Sequence, residues 1–500
     1  MLVILSDLHL NDGTTGATLP PGAFSLFAER LQELARAASW RADGSYRPIE
    51  RIDLVLLGDV FDLLHSAHWC SAPHVRPWGD PQSPDFVDRV GRITADILAQ
   101  NQESLGILRA LSDEGGVTVP PMLRAARPAS DADRQPVLVR THYMVGNHDW
   151  LYHLRGEPYD ALRRRLVEQL GLANVPDRPL PHDIGESDEL LQTMRRHKVT
   201  ARHGDVFDPL CFEGDRDMSS LSDAIIVEVV NRFALEVEQS LGDELSDAAV
   251  LSLREIHHLR PLLLIPAWIE GVLDRTCSQP AVRKRVKMVW DGLADELLSG
   301  EFVRNRDGLG SSDLIDGLAR ALKFNKRIST GWTASILQWL QKIRGAASDS
   351  YASHALTEQD FRNRRAKHVV FGHTHAGEIV PLDTSHAEGY VLDQVYFNAG
   401  TWRRVYRQTR FSPGEHEFLA QDTINYLAFF LGDERRGRPY ETWGGTLGYC
   451  PAERAIYRID AGRAPHVAGQ TVSAPDLAPH APHFAARSAK SADSTHRRRS

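Results

Sequence analysis

Short runs of β-forming apolar residues that end abruptly in metal-ligand side chains dominate the hydrophobic pattern of this chain. Leu2-Val3-Ile4-Leu5 runs into Ser6-Asp7-Leu8-His9, and Leu54-Val55-Leu56-Leu57 runs into Gly58-Asp59-Val60-Phe61-Asp62. Tyr143-Met144-Val145 leads to Gly146-Asn147-His148-Asp149, and His368-Val369-Val370-Phe371 leads to Gly372-His373-Thr374-His375. A fifth segment, His203-Gly204-Asp205, shares the residue types. Continuous apolar runs bounded by turn residues predict buried strands. Strands that finish in Asp, Asn and His predict one site, assembled along the carboxyl ends of a buried sheet.

Between these strands the apolar period lengthens. Phe24, Phe27, Leu31, Leu34 and Ala35 fall on one face of a helix over Phe24 to Ala38. After Asp59 comes a loop rich in proline (Pro73, Pro77, Pro81, Pro84), then a helix around Phe86 to Leu111 that should pack on the sheet. Trp69-Cys70 and Trp78 lie in that loop, where they either border a substrate groove or pin the loop. The stretch from Asp205 to His373 is longer still. Leu221 to Leu241, Leu251 to Leu273, Val282 to Leu298, Ser312 to Phe324 and Thr333 to Ile343 all show three-and-four spacing.

Such a block is long enough for a helical lobe of its own. It leaves and returns beside candidate ligands, so a lid over the site is expected, and with it substrate selectivity. Its most apolar run, Leu259 to Ile269, reads as lobe core in preference to a lipid contact. Arg283-Lys284-Arg285-Val286-Lys287 reads as a solvated helix face in preference to a phosphate site. Strand pattern resumes around Gly389 to Phe397 and reaches Asn398-Ala399-Gly400-Thr401-Trp402. From about Asp460 the composition turns to Ala, Pro, Ser, His and Arg, which predicts a disordered tail.

Hard oxygen donors mixed with imidazole nitrogens suit first-row divalent metals; they disfavour calcium and exclude a thiolate zinc site. The five segments, in this order, resemble the signature of the calcineurin-like metallophosphoesterase family: D-x-H, G-D-x-x-D, G-N-H-D or G-N-H-E, a lone His, and G-H-x-H. Every element is present without substitution. The resemblance covers the strands and loops around the site, about half of the chain, and not the long stretches between them.

The resemblance implies an α/β fold, a four-layer sandwich of two mixed β-sheets flanked by helices, with a large helical insertion. Residues 1–205 and 368–459 would form the core, with 63–140 inserted in it; 206–367 would be the helical cap, and 460–500 the tail. Two divalent cations (manganese, iron, zinc or similar) are implied. Asp7, His9 and His375 would hold one and Asn147, His203 and His373 the other, with Asp59 bridging. Together these would activate a shared hydroxide to attack phosphorus, in a phosphomonoester, phosphodiester or pyrophosphate. His148, beside a ligand but not assigned to a metal, is expected to protonate the leaving oxygen or stabilise charge there. Asp149 or Asp62 would orient it. Asn398-Ala399-Gly400-Thr401-Trp402 resembles the N-x-G-[ST]-W element of bacterial members, which stands close to the metals.

Other histidines get the plainer reading. His65, His68, His153 and the pair His257/His258 have no partner at ligand spacing, so surface or structural roles are expected. Gly-Asp-Val-Phe-Asp occurs twice, at 58–62 and 204–208, and is read as two similar strand exits without a duplicated domain.

Composition has ordinary globular values, 42% hydrophobic and 25% charged, with a net charge of −8, and agrees with a soluble enzyme. The acidic balance disfavours a chain whose main task is gripping nucleic acid. Four scattered cysteines suit reduced thiols, no stretch reaches membrane-span length, and the first strand begins at Leu2; a cytoplasmic protein is expected. Expected partners are a phosphorylated small molecule, a nucleotide or a lipid-linked substrate. Ser-Asp-Leu-His-Leu and His-Gly-Asp resemble the UDP-diacylglucosamine diphosphatase branch. His148 stands where those enzymes usually have Arg, and the insertion is longer, so a general phosphoesterase is the leading reading. A UDP-sugar-lipid-type pyrophosphatase, a nuclease and a scaffold that has lost turnover are the alternatives.

Overall fold

The computed structural model describes residues 1–124, 126–130, 133–306, 312–324, 330–344, 350–387, 390–412, 415–446, 457–458 and 466–467. Ten strands build two mixed sheets: β1 Leu2–Leu5, β2 Arg51–Leu57, β3 Leu138–Met144, β4 Val199–Ala201, β5 His368–Phe371, β6 Glu378–Ala387, β7 Tyr390–Asn398, β8 Arg404–Ser412, β9 Glu415–Phe429 and β10 Tyr440–Thr446. The larger sheet has six strands in the order β8-β9-β1-β2-β3, with β10 also on β9; the smaller has four, ordered β4-β5-β7-β6. β1, β2 and β3 run parallel, as do β4, β5 and β7. The remaining pairs are antiparallel. The chain is therefore an α/β protein.

Alternation along β1 and β2 divides the core, because successive side chains of a strand point to opposite faces. Val3, Leu5, Leu54 and Leu56 join a cluster with Phe24, Phe27, Phe86, Val90, Ile93 and Ile97. Leu2, Ile4, Val55 and Leu57 join another with Val199, Ala201, Val370, Val395 and Phe397 of the smaller sheet. Each such side chain contributes roughly 1.5–3 kcal/mol by leaving water. The first helix is Pro21–Ala38, opened by a proline whose missing N–H would have been unpaired there anyway. The helix expected over Phe86 to Leu111 is two, Pro84–Gln100 and Gln102–Ser112, meeting at Asn101. The Asn101 side chain donates to Ile97 O and to Asn11 O, tying the junction to the loop after β1.

Trp69 is fully buried with its indole N–H on Leu63 O, and Trp78 stacks on Phe302 at 4.7 Å between centroids. Both pin the loop. The helical block has its own apolar cluster, in which Phe233, Trp268, Val286 and Trp290 are buried. Its first helix runs from Leu221 to Leu241 through a π turn at Ile226–Val230. The apolar run Leu259 to Ile269 lies in this cluster, as lobe core. Arg283, Arg285 and Lys287 pair with Asp274, Glu244 and Glu270 around buried Val286.

One expected helix is broken. Leu251 to Leu273 divides into Asp247–Arg254, a 3₁₀ turn at Glu255–His258, an extended piece at 259–261, a second 3₁₀ turn at Leu262–Leu264, and Ile265–Thr276. Pro261 forces the break, since proline has no N–H to donate and disfavours helix at the residue before it. The freed Arg260 N–H bonds Tyr406 O of β8 at 3.1 Å.

Residues 1–450 form one compact unit. Of the tail expected to be disordered, His466–Val467 pairs with Tyr457–Arg458 as a two-residue ladder, and the rest lies outside the described residues. Among the described residues, no helix is long and apolar enough to cross a membrane.

Candidate metal centre

The five segments converge. The parallel register of β1 and β2 continues beyond their ends, with Asp7 N–H on Gly58 O (3.2 Å), His9 N–H on Asp59 O (2.8 Å) and Leu10 N–H on Val60 O (2.9 Å). Asp7, His9, Asp59, His373 and His375 all have positive φ, between 47° and 67°. Left-handed backbone at non-glycine residues is uncommon and costs on the order of 1–3 kcal/mol each. It persists only where surroundings enforce it, and five such residues in one place mark a site. Gly372 is required by close approach: a Cβ there would stand 2.8 Å from Asp7 Oδ2 and collide with the Ser6 hydroxyl. From the opposite side, Thr401 Oγ1 donates to Asp7 O (2.7 Å) and Asn398 Nδ2 to Gly372 O (2.8 Å). Trp402, wedged against Phe24 and Phe27 of the first helix, fixes that element.

Four overlapping donor groups result; two of them share one carboxylate, and His9-Asp62-His148 and Asp208-Cys211-His373 adjoin them. Asp7, His9, Asp59 and His375 form the first, and Asp59, His203 and His373 the second. In the first, His9 Nε2 faces His375 Nε2 at 3.0 Å and Asp59 Oδ2 at 3.6 Å, and His375 Nε2 is 3.6 Å from Asp7 Oδ1. In the second, His203 Nε2 is 3.2 Å from Asp59 Oδ2 and from Asn147 Oδ1; His373 Nδ1 is 2.9 Å from Asn147 Oδ1. All of these side chains are buried except His373, which is partly so.

These buried donors could hold metal ions. His9 Nε2 and His375 Nε2 lie at a spacing that serves a hydrogen bond in one tautomer and equally suits a shared cation, since N/O ligands with ~2.1 Å bonds stand about 3.0–3.4 Å apart. Two of the far nitrogens are anchored as metal-binding imidazoles usually are, His9 Nδ1 on Asp62 Oδ2 (3.0 Å) and His203 Nδ1 on Leu57 O (3.0 Å), whereas His375 Nδ1 is buried without a partner. The buried charges shift one another. Burial pushes the Asp7 carboxyl up to about 7, and the neighbouring Asp59 charge adds to this. Burial also works on Asp59, but His203 and His148 outweigh it and hold that carboxyl well below its ordinary range. His203 is raised to about 10 by the carboxylates around it, against its burial. Burial and the nearby Arg403 guanidinium keep His9 well below its usual value.

Around the donors lies a second group centred on Asp62, fully buried. Its Oδ1 receives His148 Nδ1 at 2.8 Å, and its Oδ2 faces both His9 Nδ1 and His65 Nδ1 (2.9 Å). His148 also donates its backbone N–H to Asp59 Oδ1 (2.8 Å). Burial lowers the His148 imidazole, but Asp62 and Asp59 prevail and raise it overall. Of the two orienting carboxylates expected from the sequence, only Asp62 touches His148. Asp149 accepts from Gly146 N–H (2.6 Å), Val60 N–H (2.9 Å) and the Tyr143 hydroxyl (2.6 Å), and so shapes the loops themselves.

Several residues here escaped the sequence. His65 stacks on His148 (5.3 Å between centroids, 11° between planes) and belongs to the site. His258 Nδ1 accepts from Arg403, whose Nη1 lies 3.6 Å from Asp62 Oδ2. Arg260, in the extended break of the helical block, places Nη2 3.5 Å from His375 Nε2. His373 Nε2 faces Asp208 at 3.5 Å. Asp208 ends the second Gly-Asp-Val-Phe-Asp as Asp62 ends the first, and each sets its carboxylate against a histidine of the donor groups. His68 pairs with Asp96 at 2.8 Å, a structural role as expected. His153, expected to be surface or structural as well, meets His182 and Asp217 in a separate donor group.

No protein-family model matches this chain, and no curated protein sequence matches it.

Proposed function

We propose that this chain is a dinuclear metal-dependent phosphoric ester hydrolase of the calcineurin-like metallophosphoesterase type, with the four-layer sandwich of that family. The observation that carries the reading is Asp59, one buried carboxylate common to two histidine-bearing donor groups. Asp7, His9 and His375 would hold one cation and Asn147, His203 and His373 the other. Bound divalent cations supply Lewis acidity toward a phosphoryl oxygen and a strong nucleophile at neutral pH.

The chain's own residues do the remainder. Asp62 accepts from His148 Nδ1 and favours the imidazolium, whose Nε2 proton would pass to the leaving oxygen while Nδ1 keeps its own. Arg260 and Arg403 bring two guanidinium groups to the same place, where they would neutralise phosphoryl charge and orient it. Residues 206–367 act in this reading as a cap that delivers Arg260. Two arginines favour a substrate carrying more than one negative charge, which keeps the pyrophosphatase alternative, including a nucleotide or lipid-linked diphosphate, beside a simple monoester or diester. The net charge of −8 counts against a nuclease. A cytoplasmic setting belongs to the same proposal and agrees with Cys70, Cys211 and Cys277 as free thiols.

The test is hydrolysis of bis-p-nitrophenyl phosphate, p-nitrophenyl phosphate and a nucleoside diphosphate ester by metal-stripped protein refilled with manganese. Turnover that returns with metal supports the hydrolase, and the preferred substrate sorts the three ester classes. Two cations bound with no turnover on any of them would leave a scaffold.

A further inference from the structure

His153, His182 and Asp217 come from three separate segments, none of them part of the five that build the metal centre. His153 ends the 3₁₀ turn Trp150–His153, His182 precedes the turn Ile184–Glu186, and Asp217 lies in the loop leading into the inserted helices. The rings of His153 and His182 are 4.3 Å apart between centroids. His153 Nε2 stands 3.8 Å from Asp217 Oδ1, and His182 Nε2 stands 3.6 Å from the same oxygen.

These separations are too long for hydrogen bonds and close to the edge of a coordination polyhedron with bonds of about 2.1 Å. The protonation pattern agrees. His153 Nδ1 bonds Leu180 O at 2.8 Å, which fixes the tautomer and leaves the Nε2 lone pair facing Asp217. His182 is 3% exposed, and neither of its ring nitrogens has a hydrogen-bond partner; Asp217 Oδ1 is likewise buried and unpartnered. Buried polar atoms are ordinarily satisfied, and a side chain with two orphaned nitrogens calls for a missing partner.

The surroundings hold the three segments ready. Leu180 N–H bonds Tyr152 O (3.4 Å), linking the two histidine segments. Glu186 Oε2 accepts the His182 backbone N–H (3.0 Å). Arg216 reaches Asp183 (3.4 Å) and Asp205 (2.9 Å), setting its neighbour Asp217 beside His182.

We propose that His153, His182 and Asp217 bind a further divalent cation of the zinc class, separate from the dinuclear centre, through His153 Nε2, His182 Nε2 and Asp217 Oδ1. Two imidazoles and one carboxylate are zinc-type donors, and three protein ligands leave a position for water. The cation clips the turn that follows Asn147-His148-Asp149 to the loop that opens the helical block.

Cobalt(II) bound per chain, measured on full-length protein after metal stripping, reloading and dialysis, tests this. Three equivalents are expected in the wild type, two in His182→Ala and in Asp217→Asn, and one in Asp59→Asn. Asp217→Asn keeps the side-chain shape at a half-exposed position, so it carries the test if His182→Ala does not fold. One equivalent in the wild type that is lost in Asp217→Asn would uphold this site while overturning the dinuclear reading. Equal cobalt in the wild type and in folded Asp217→Asn, at any number of equivalents, overturns the site proposed here.

Discussion

His148 Nδ1 and Asp62 Oδ1 lie 2.8 Å apart in a fully enclosed setting, and the same carboxylate holds His9 through its other oxygen. One residue therefore couples the proposed proton donor to a proposed metal ligand, so the two roles separate by choice of substitution. His148→Ala should keep its full complement of manganese and lose about 10²–10⁴-fold in kcat. The loss should be largest for alkyl esters and smallest for p-nitrophenyl esters, whose leaving group needs no proton. Equal losses on both would sink the proton-donor assignment.

Asp59→Asn tests the shared carboxylate. It removes a charge common to both donor groups and leaves His203, held near a pKa of 10 by that carboxylate, without its main partner. Bound manganese should fall by two equivalents and turnover should vanish, with fold retained by circular dichroism. Loss of a single equivalent would place Asp59 on one cation only.

Convergence of the five segments was legible because strand propensity and ligand chemistry are adjacent in the chain; β1 and β2 need only pair in parallel to bring Asp7, His9 and Asp59 together. What lies between the strands was less legible. Apolar spacing alone runs a helix through Leu251 to Leu273, although Pro261 is the signal against it, and Arg260 reaches the site through that break. His65 bonds Asp62 three residues before it, but its stacking on His148, like the contact of Asp208 with His373, is tertiary. For Asp208 the repeated Gly-Asp-Val-Phe-Asp was the available hint. Nothing along the chain connects His153, His182 and Asp217.

Asp208→Asn should weaken manganese binding by about 10–100-fold through His373, the usual consequence of losing the carboxylate behind a ligand imidazole. Asp208 also pairs with Arg344 (3.0 Å to Nε), so calorimetric metal titration has to be set beside thermal unfolding of the metal-free protein. Lower stability with unchanged metal affinity would mean that Asp208 serves Arg344 alone.

Arg260→Ala should lower kcat/KM by about ten- to hundred-fold, the worth of one charge-assisted hydrogen bond to phosphate. Most of the loss should appear in KM, and inorganic phosphate should inhibit less. Arg260→Lys should recover little, because an ammonium cannot present a planar fork. Steady-state kinetics on a pyrophosphate and a monoester separates the readings: a loss confined to the pyrophosphate assigns Arg260 to the second phosphoryl group.

Acid stability should depend on two histidines remote from the donor groups. Burial depresses His368, among Phe397, Phe429 and Tyr440, to about 4, and burial together with the amino terminus does the same to His197. Unfolded, each titrates near 6.5, so between pH 6.5 and 4 the unfolded chain binds protons that the folded chain refuses. Their contribution is fully present above pH 6.5 and falls as pH drops toward 4, by up to about 3 kcal/mol each. Urea unfolding across that window, with chelator present so that metal release plays no part, should show the decline. His368→Phe, suited to the aromatic surroundings, should make it shallower and leave the share of His197; an unchanged slope would mean that His368 is protonated in the folded protein.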